Sequence, residues 1–85
     1  MKHASVETLT AIAPLLRKIR MLPGMQEKKP GVFYRRSKAF LHFHEEGACL
    51  YADVRLKEPD FDRMPASSAQ DQRVLFKTIQ DAVDG

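Results

Sequence analysis

Two alternating runs separated by a short polar break constrain this chain more than any other feature. They are Ala39-Phe40-Leu41-His42-Phe43-His44 and Leu50-Tyr51-Ala52-Asp53-Val54-Arg55, on either side of Glu45-Glu46-Gly47-Ala48. Each alternates largely apolar and polar with period two, which is the pattern of a strand buried on one face. A break this short holds no crossover, so the two strands must be antiparallel neighbours. A third run precedes them and joins through Arg36-Ser37-Lys38, giving expected strands at roughly 32–36, 39–45 and 48–55. Phe61 to Pro65 is a candidate fourth strand, which its terminal proline confines to an edge.

Helical periodicity brackets this meander. Val6, Leu9, Ile12, Ala13, Leu16, Ile19 and Leu22 recur at spacings of three and four, with Ser5 as candidate N-cap. Pro14 either kinks this helix or sits in the first turn of a second one. Arg17, Lys18 and Arg20 fall where cations favour the end of a helix, and Pro23-Gly24 stops it. Residues 25–31 read as a polar linker. At the other end, Ser67 and Gln70 fit a capping box, followed by a stripe of Leu75, Phe76, Ile79, Ala82 and Val83. The expected fold is α+β: an antiparallel β-meander of three to four strands with N- and C-terminal helices packed on one face. Residues 1–85 read as one small domain, since cores divide only well beyond about 200 residues.

Strand parity divides the sheet into two faces. A turn centred on Glu46-Gly47 opposes Phe43 to Leu50, Leu41 to Ala52 and Ala39 to Val54, an apolar set that belongs against the helices. Val32 and Tyr34 are expected to join it. The same register opposes His44 to Cys49, His42 to Tyr51 and Phe40 to Asp53. The open face then carries Phe33, Arg35, Phe40, His42, His44, Cys49, Tyr51, Asp53 and Arg55. This is too aromatic for a plain solvated surface and too polar for a core, so it is a candidate binding face.

Three chemistries compete for that face. Aromatic anchors and arginine suit a protein interface or a homodimer, and 85 residues without a disulfide gain stability from a partner. The basic half of the chain suits nucleic acid. Residues 1–38 hold nine basic and two acidic side chains, whereas residues 39–85 hold five and nine. Lys28, Lys29, Arg35, Arg36 and Lys38 gather near Phe33, Tyr34 and Phe40, the combination that binds phosphates and stacks on bases. The third chemistry is metal binding. His42, His44 and Cys49 offer two imidazoles and a thiol to zinc or copper, with Asp53 nearby. The ordinary alternative is that both histidines hydrogen-bond to Tyr51 and Asp53.

Catalytic signatures are missing: the four glycines form no phosphate loop, and no Gly-x-Ser-x-Gly elbow occurs. Cys49 beside His44 would lack an oxyanion hole. Met21 and Met64 read as core filler. One cysteine, no long apolar run and no leader-like N-terminus point to a cytoplasmic setting away from membranes.

The stretch Pro30-Gly31-Val32-Phe33-Tyr34-Arg35, Lys38-Ala39-Phe40-Leu41-His42-Phe43-His44-Glu45 and Tyr51-Ala52-Asp53-Val54-Arg55-Leu56 resembles short uncharacterised bacterial proteins. These pair a Leu-His-Phe-His run with an Ala-Asp-Val-Arg strand and carry no established activity. Leu22-Pro23-Gly24 before a meander gives a looser similarity to the MmcQ/YjbR family, for which DNA binding has been proposed. That family is larger, so the similarity implies a fold and no site residues.

Overall fold

The computed structural model describes residues 2–84. Along the chain run β1 (Lys2–His3), α1 (Val6–Ala11), α2 (Ala13–Arg20), β2 (Met25–Lys29), β3 (Val32–Arg35), β4 (Lys38–Glu46), β5 (Cys49–Lys57), β6 (Asp60–Pro65) and α3 (Ala69–Asp84). The fold is α+β. Strands β2 to β6 form an antiparallel meander in sequence order, and β1 pairs with β4 beyond the end of β3. Among the described residues no helix is long and apolar enough to cross a membrane.

The helices lie on one face of the sheet, and their contacts follow from the apolar spacing. Leu9, Ile12, Leu15, Leu16 and Ile19 from the first pair, with Leu75, Ile79 and Val83 from α3, bury against Phe33, Leu41, Phe43, Ala52 and Val54. Pro14 lies in the first turn of α2, where a missing N–H leaves no helical bond unmade. The N-terminal periodicity is thus two short helices hinged at Ile12 rather than one kinked helix. Ser5 caps α1 by accepting the Thr8 N–H. Val6 and Met21, expected inside, are exposed, whereas Met64 packs on the core.

The C-terminal capping box sits one residue later than the spacing predicts. Ser68 Oγ accepts the Asp71 N–H, and the Asp71 carboxylate accepts the Ser68 N–H. Ser67 instead binds the edge of β5, accepting from Leu50 N and donating to Leu50 O. The expected linker at 25–31 is also corrected, because Met25–Lys29 forms β2. Its backbone pairs with β3 although, after Met25, its side chains are polar, as suits a sheet edge.

Two features of the ladder decide which side chains face the helices. The β4–β5 turn is only Gly47-Ala48, so the register slips by two from the expected one: Leu41 opposes Val54, Phe43 opposes Ala52 and Glu45 opposes Leu50. Parity survives a slip of two, and Leu41, Phe43, Leu50, Ala52 and Val54 are all buried. In the β3–β4 hairpin parity does not survive. Tyr34 opposes Ala39 but Phe33 opposes Leu41, which leaves Phe40 unpaired in a bulge. Phe40 and Leu41 consequently both turn inward. Phe33 and Phe40 therefore belong to the core and not to the open face, while Val32 and Tyr34 leave the core set. Arg35 also points to the helix side, where it donates to Val83 O near the end of α3.

An ion pair ties α2 to the β2–β3 hairpin. The Arg20 guanidinium grips both carboxylate oxygens of Glu27, and Gly31 N donates to Oε2 at 3.0 Å. Burial pushes the Glu27 carboxyl up, but the Arg20 and Gly31 hydrogen bonds outweigh it and hold the group below its ordinary 4.5. A carboxyl depressed in the folded state contributes stability above its unfolded pKa and loses it as pH falls through the folded one. The contribution of Glu27 should therefore be present at pH 7 and fade below about pH 4.5. Urea denaturation of Glu27→Gln is expected to show a loss on the order of 1 kcal/mol at pH 7 and a smaller one at pH 3.5. An equal loss at both values would contradict the assignment.

Candidate functional site

The face of the sheet turned away from the helices holds a continuous row of polar and aromatic side chains. Period-two geometry on β4 puts His42 and His44 side by side, and the β4–β5 ladder sets His42 opposite Asp53 and His44 opposite Tyr51. The β5–β6 ladder adds Arg63 opposite Asp53, and the same register carried on past Val54 and Asp62 brings Arg55 over Phe61.

The contacts run from one end of this row to the other. The Arg55 guanidinium lies 4.6 Å from the Phe61 ring centre, and that ring lies 5.0 Å from His42. His42 meets His44 edge to face at 5.3 Å between ring centres, with Nδ1 3.2 Å from Nε2. His44 Nε2 is 3.1 Å from Asp53 Oδ2. Arg63 closes the row as a fork, donating from Nε to Oδ1 at 2.9 Å and from Nη2 to Oδ2 at 3.2 Å.

Burial is intermediate from Arg55 to Asp53, and only Arg63 is exposed, although among the described residues no helix covers this row. The Asp53 side chain keeps 14% of its surface exposed and His44 22%, so the Asp53 carboxylate is poorly solvated. The Arg63 hydrogen bonds hold the Asp53 carboxyl below its usual range against the opposing effect of burial. His42 is pushed down, chiefly by burial and then by His44, which favours its neutral imidazole. Arg55 keeps its Nε buried with no hydrogen-bond partner.

Of the residues expected on this face, His42, His44, Tyr51, Asp53 and Arg55 are there. Cys49 shares their parity, but the register slip sets it opposite Glu46, exposed at the end of β5. It lies beside Tyr51, whose phenol it pushes up, and outside the group formed by His42, His44 and Asp53. The ligand atoms of those three residues all lie within 4.8 Å of one another.

Phe61 and Arg63 are the members that the sequence reading misses, because their place depends on how β6 pairs. His3 is missed as well. It pairs with His44 across β1 and β4, which sets it on the same face, and its Nε2 contacts Pro30 O at 3.1 Å.

The basic residues disperse. Arg35 is engaged with Val83 O, Lys38 with both oxygens of Glu58 at 3.1 Å, and Lys28 with the Tyr34 ring. Lys29 ends the β2 edge strand and Arg36 occupies the β3–β4 turn. Arg35, Arg36, Lys38 and Arg55 border a shallow cleft of about 390 Å³ that Glu58 shares. No family model, curated protein or solved structure matches this chain.

Proposed function

We propose that this protein is a small non-catalytic binding domain that engages its partner through the open face of the sheet. The observation that carries this reading is the row from Arg55 to Arg63, six side chains in mutual contact on a face that no helix covers. Ordering such a row costs conformational entropy that a purely solvated surface has no need to lose. The sheet edges support the same reading by elimination. β2 ends in Lys28-Lys29, and β6 carries Asp60, Asp62, Arg63 and Pro65, residues that discourage pairing with further strands. The residues that carry the resemblance to short bacterial proteins, Leu41 to His44 and Ala52 to Arg55, supply four of the six members.

A second copy of this chain is the partner we propose, in a cytoplasmic setting. The face carries both signs, Asp53 and Glu46 against Arg55 and Arg63, so a two-fold axis would bring opposite charges together. Phe61 and Tyr51 provide apolar area of the kind interfaces favour. The dispersed cations speak less for a phosphate backbone, since three of the five basic residues singled out already have partners.

Sedimentation equilibrium on untagged protein tests this proposal. The expected mass is twice the 9.7 kDa of one chain, and Tyr51→Glu or Phe61→Glu should return it to one chain with an unchanged circular dichroism spectrum. A single-chain mass for the wild type, or a two-chain mass in both variants, would overturn it.

A further inference from the structure

Two of the three ligand-atom separations among His42, His44 and Asp53 have the dimensions of a coordination shell, and the third lies within 4.8 Å. Around a zinc-like ion with ligand bonds of about 2.0–2.1 Å, neighbouring tetrahedral ligand atoms stand about 3.3 Å apart. His42 Nδ1 and His44 Nε2 are separated by 3.2 Å, and His44 Nε2 and Asp53 Oδ2 by 3.1 Å. All three atoms come from two adjacent strands of a rigid sheet, so little rearrangement is needed to close them on one ion.

Hydrogen-bond accounting sharpens the point. Asp53 Oδ2 is an acceptor only, and each imidazole nitrogen carries either a hydrogen or a lone pair. Without an ion, a single hydrogen at His44 Nε2 or His42 Nδ1 lies between the two imidazole nitrogens, while Asp53 Oδ2 accepts from Arg63 Nη2 and, when His44 Nε2 carries that hydrogen, from His44 as well. A dication would serve all three lone pairs together, with the imidazole hydrogens on His42 Nε2 and His44 Nδ1. The surroundings fit this role. Arg63 donates to both carboxylate oxygens of Asp53, which fixes the carboxylate with Oδ2 3.1 Å from His44 Nε2 and a lone pair left toward the histidines. The Phe61 ring lies against His42 and restricts its rotation.

Resting on the reading that the open face is the functional one, we infer that His42, His44 and Asp53 form a site for one divalent transition-metal ion of the zinc class, bound through two nitrogens and one oxygen with its remaining positions facing outward. Two imidazoles and a carboxylate suit zinc and its neighbours, whereas magnesium and calcium prefer oxygen alone. Asp53 replaces Cys49 in the donor set expected from the sequence, because the two-residue turn carries the thiol away to Glu46.

Native mass spectrometry on untagged, chelator-stripped protein with one equivalent of zinc chloride tests the inference. One zinc per chain is expected in the wild type and in Cys49→Ala. His44→Ala and the isosteric Asp53→Asn are each expected to weaken zinc at least tenfold in calorimetric titration, with their thermal unfolding still cooperative. Cobalt(II) loading should give visible bands without the strong near-ultraviolet absorption of a thiolate ligand. Failure of the wild type to retain zinc would overturn the site, as would wild-type affinity in both ligand variants or a thiolate band from Cys49. The same spectra count subunits. A zinc-free two-chain species would therefore sink the metal site and leave the interface standing, and a zinc-loaded single chain would do the reverse.

Discussion

Phe33→Ala is expected to cost this protein about 3–5 kcal/mol, the usual range for emptying a fully buried phenylalanine site. A chain of 85 residues has a total stability of roughly 4–13 kcal/mol, so this one change removes a large share of it. Phe33 is completely buried opposite Leu41, in the core between the sheet and the helices. Urea denaturation should show a much lower midpoint with an unchanged slope. The experiment also reports on the bulge at Phe40. Were the β3–β4 hairpin regular, Phe33 would share the open face with the histidines, and truncation would cost less than about 1 kcal/mol.

Gly31→Ala is the second large effect, and two separate causes combine in it. Gly31 has φ +76° in the turn between β2 and β3, a conformation that costs a residue with a side chain about 1–2 kcal/mol. An added Cβ would also lie 2.8 Å from Leu9 Cδ2, and Leu9 is buried where α1 meets the hairpin. Overpacking of this kind costs about 1–3 kcal/mol more. Gly24 supplies the control, since φ is +75° there but a Cβ added to it would meet nothing within 4 Å. Gly31→Ala should thus destabilise clearly more than Gly24→Ala in the same denaturation experiment. Adding Leu9→Ala to Gly31→Ala should cost less than the two separate losses together. Equal losses at the two glycines would mean that Leu9 yields freely.

Much of this architecture is written in the period of the apolar residues. Helix α3 and the inner faces of β4 and β5 are legible because each buries one stripe and leaves the other wet. His42, His44, Tyr51, Asp53 and Arg55 are assignable to one face for the same reason. What parity cannot give is the partner across the ladder, since a slip of two residues leaves every side chain on its face and changes its neighbour. That is how Cys49 moves from His44 to Glu46. Bulges are harder still, because Phe40 reads as an ordinary alternating residue until the ladder leaves it unpaired. Strand β2 escapes notice for a different cause. It lies at an edge, is held by backbone bonds to β3, and has little apolar surface to bury. Arg63 and Phe61 enter the site only through pairing with β5, which no local pattern encodes.

The row across the open sheet also bears on how this surface can change over evolutionary time. Each member except the terminal arginines is clasped between two others, so a replacement at one position leaves a neighbour without its partner. Free-energy effects at such positions do not add. A variant lacking Asp53 takes the carboxylate from Arg63 and leaves His44 with His42 alone, and a compensating change at either has value only once Asp53 has gone. Substitutions here should travel in pairs, with Asp53 and Arg63 exchanged together and His42 covarying with Phe61. The solvated outer side of α3 carries no such obligation. Lys77 and Asp81 there form an exposed ion pair one turn apart, and drift on that side of the helix can proceed one residue at a time.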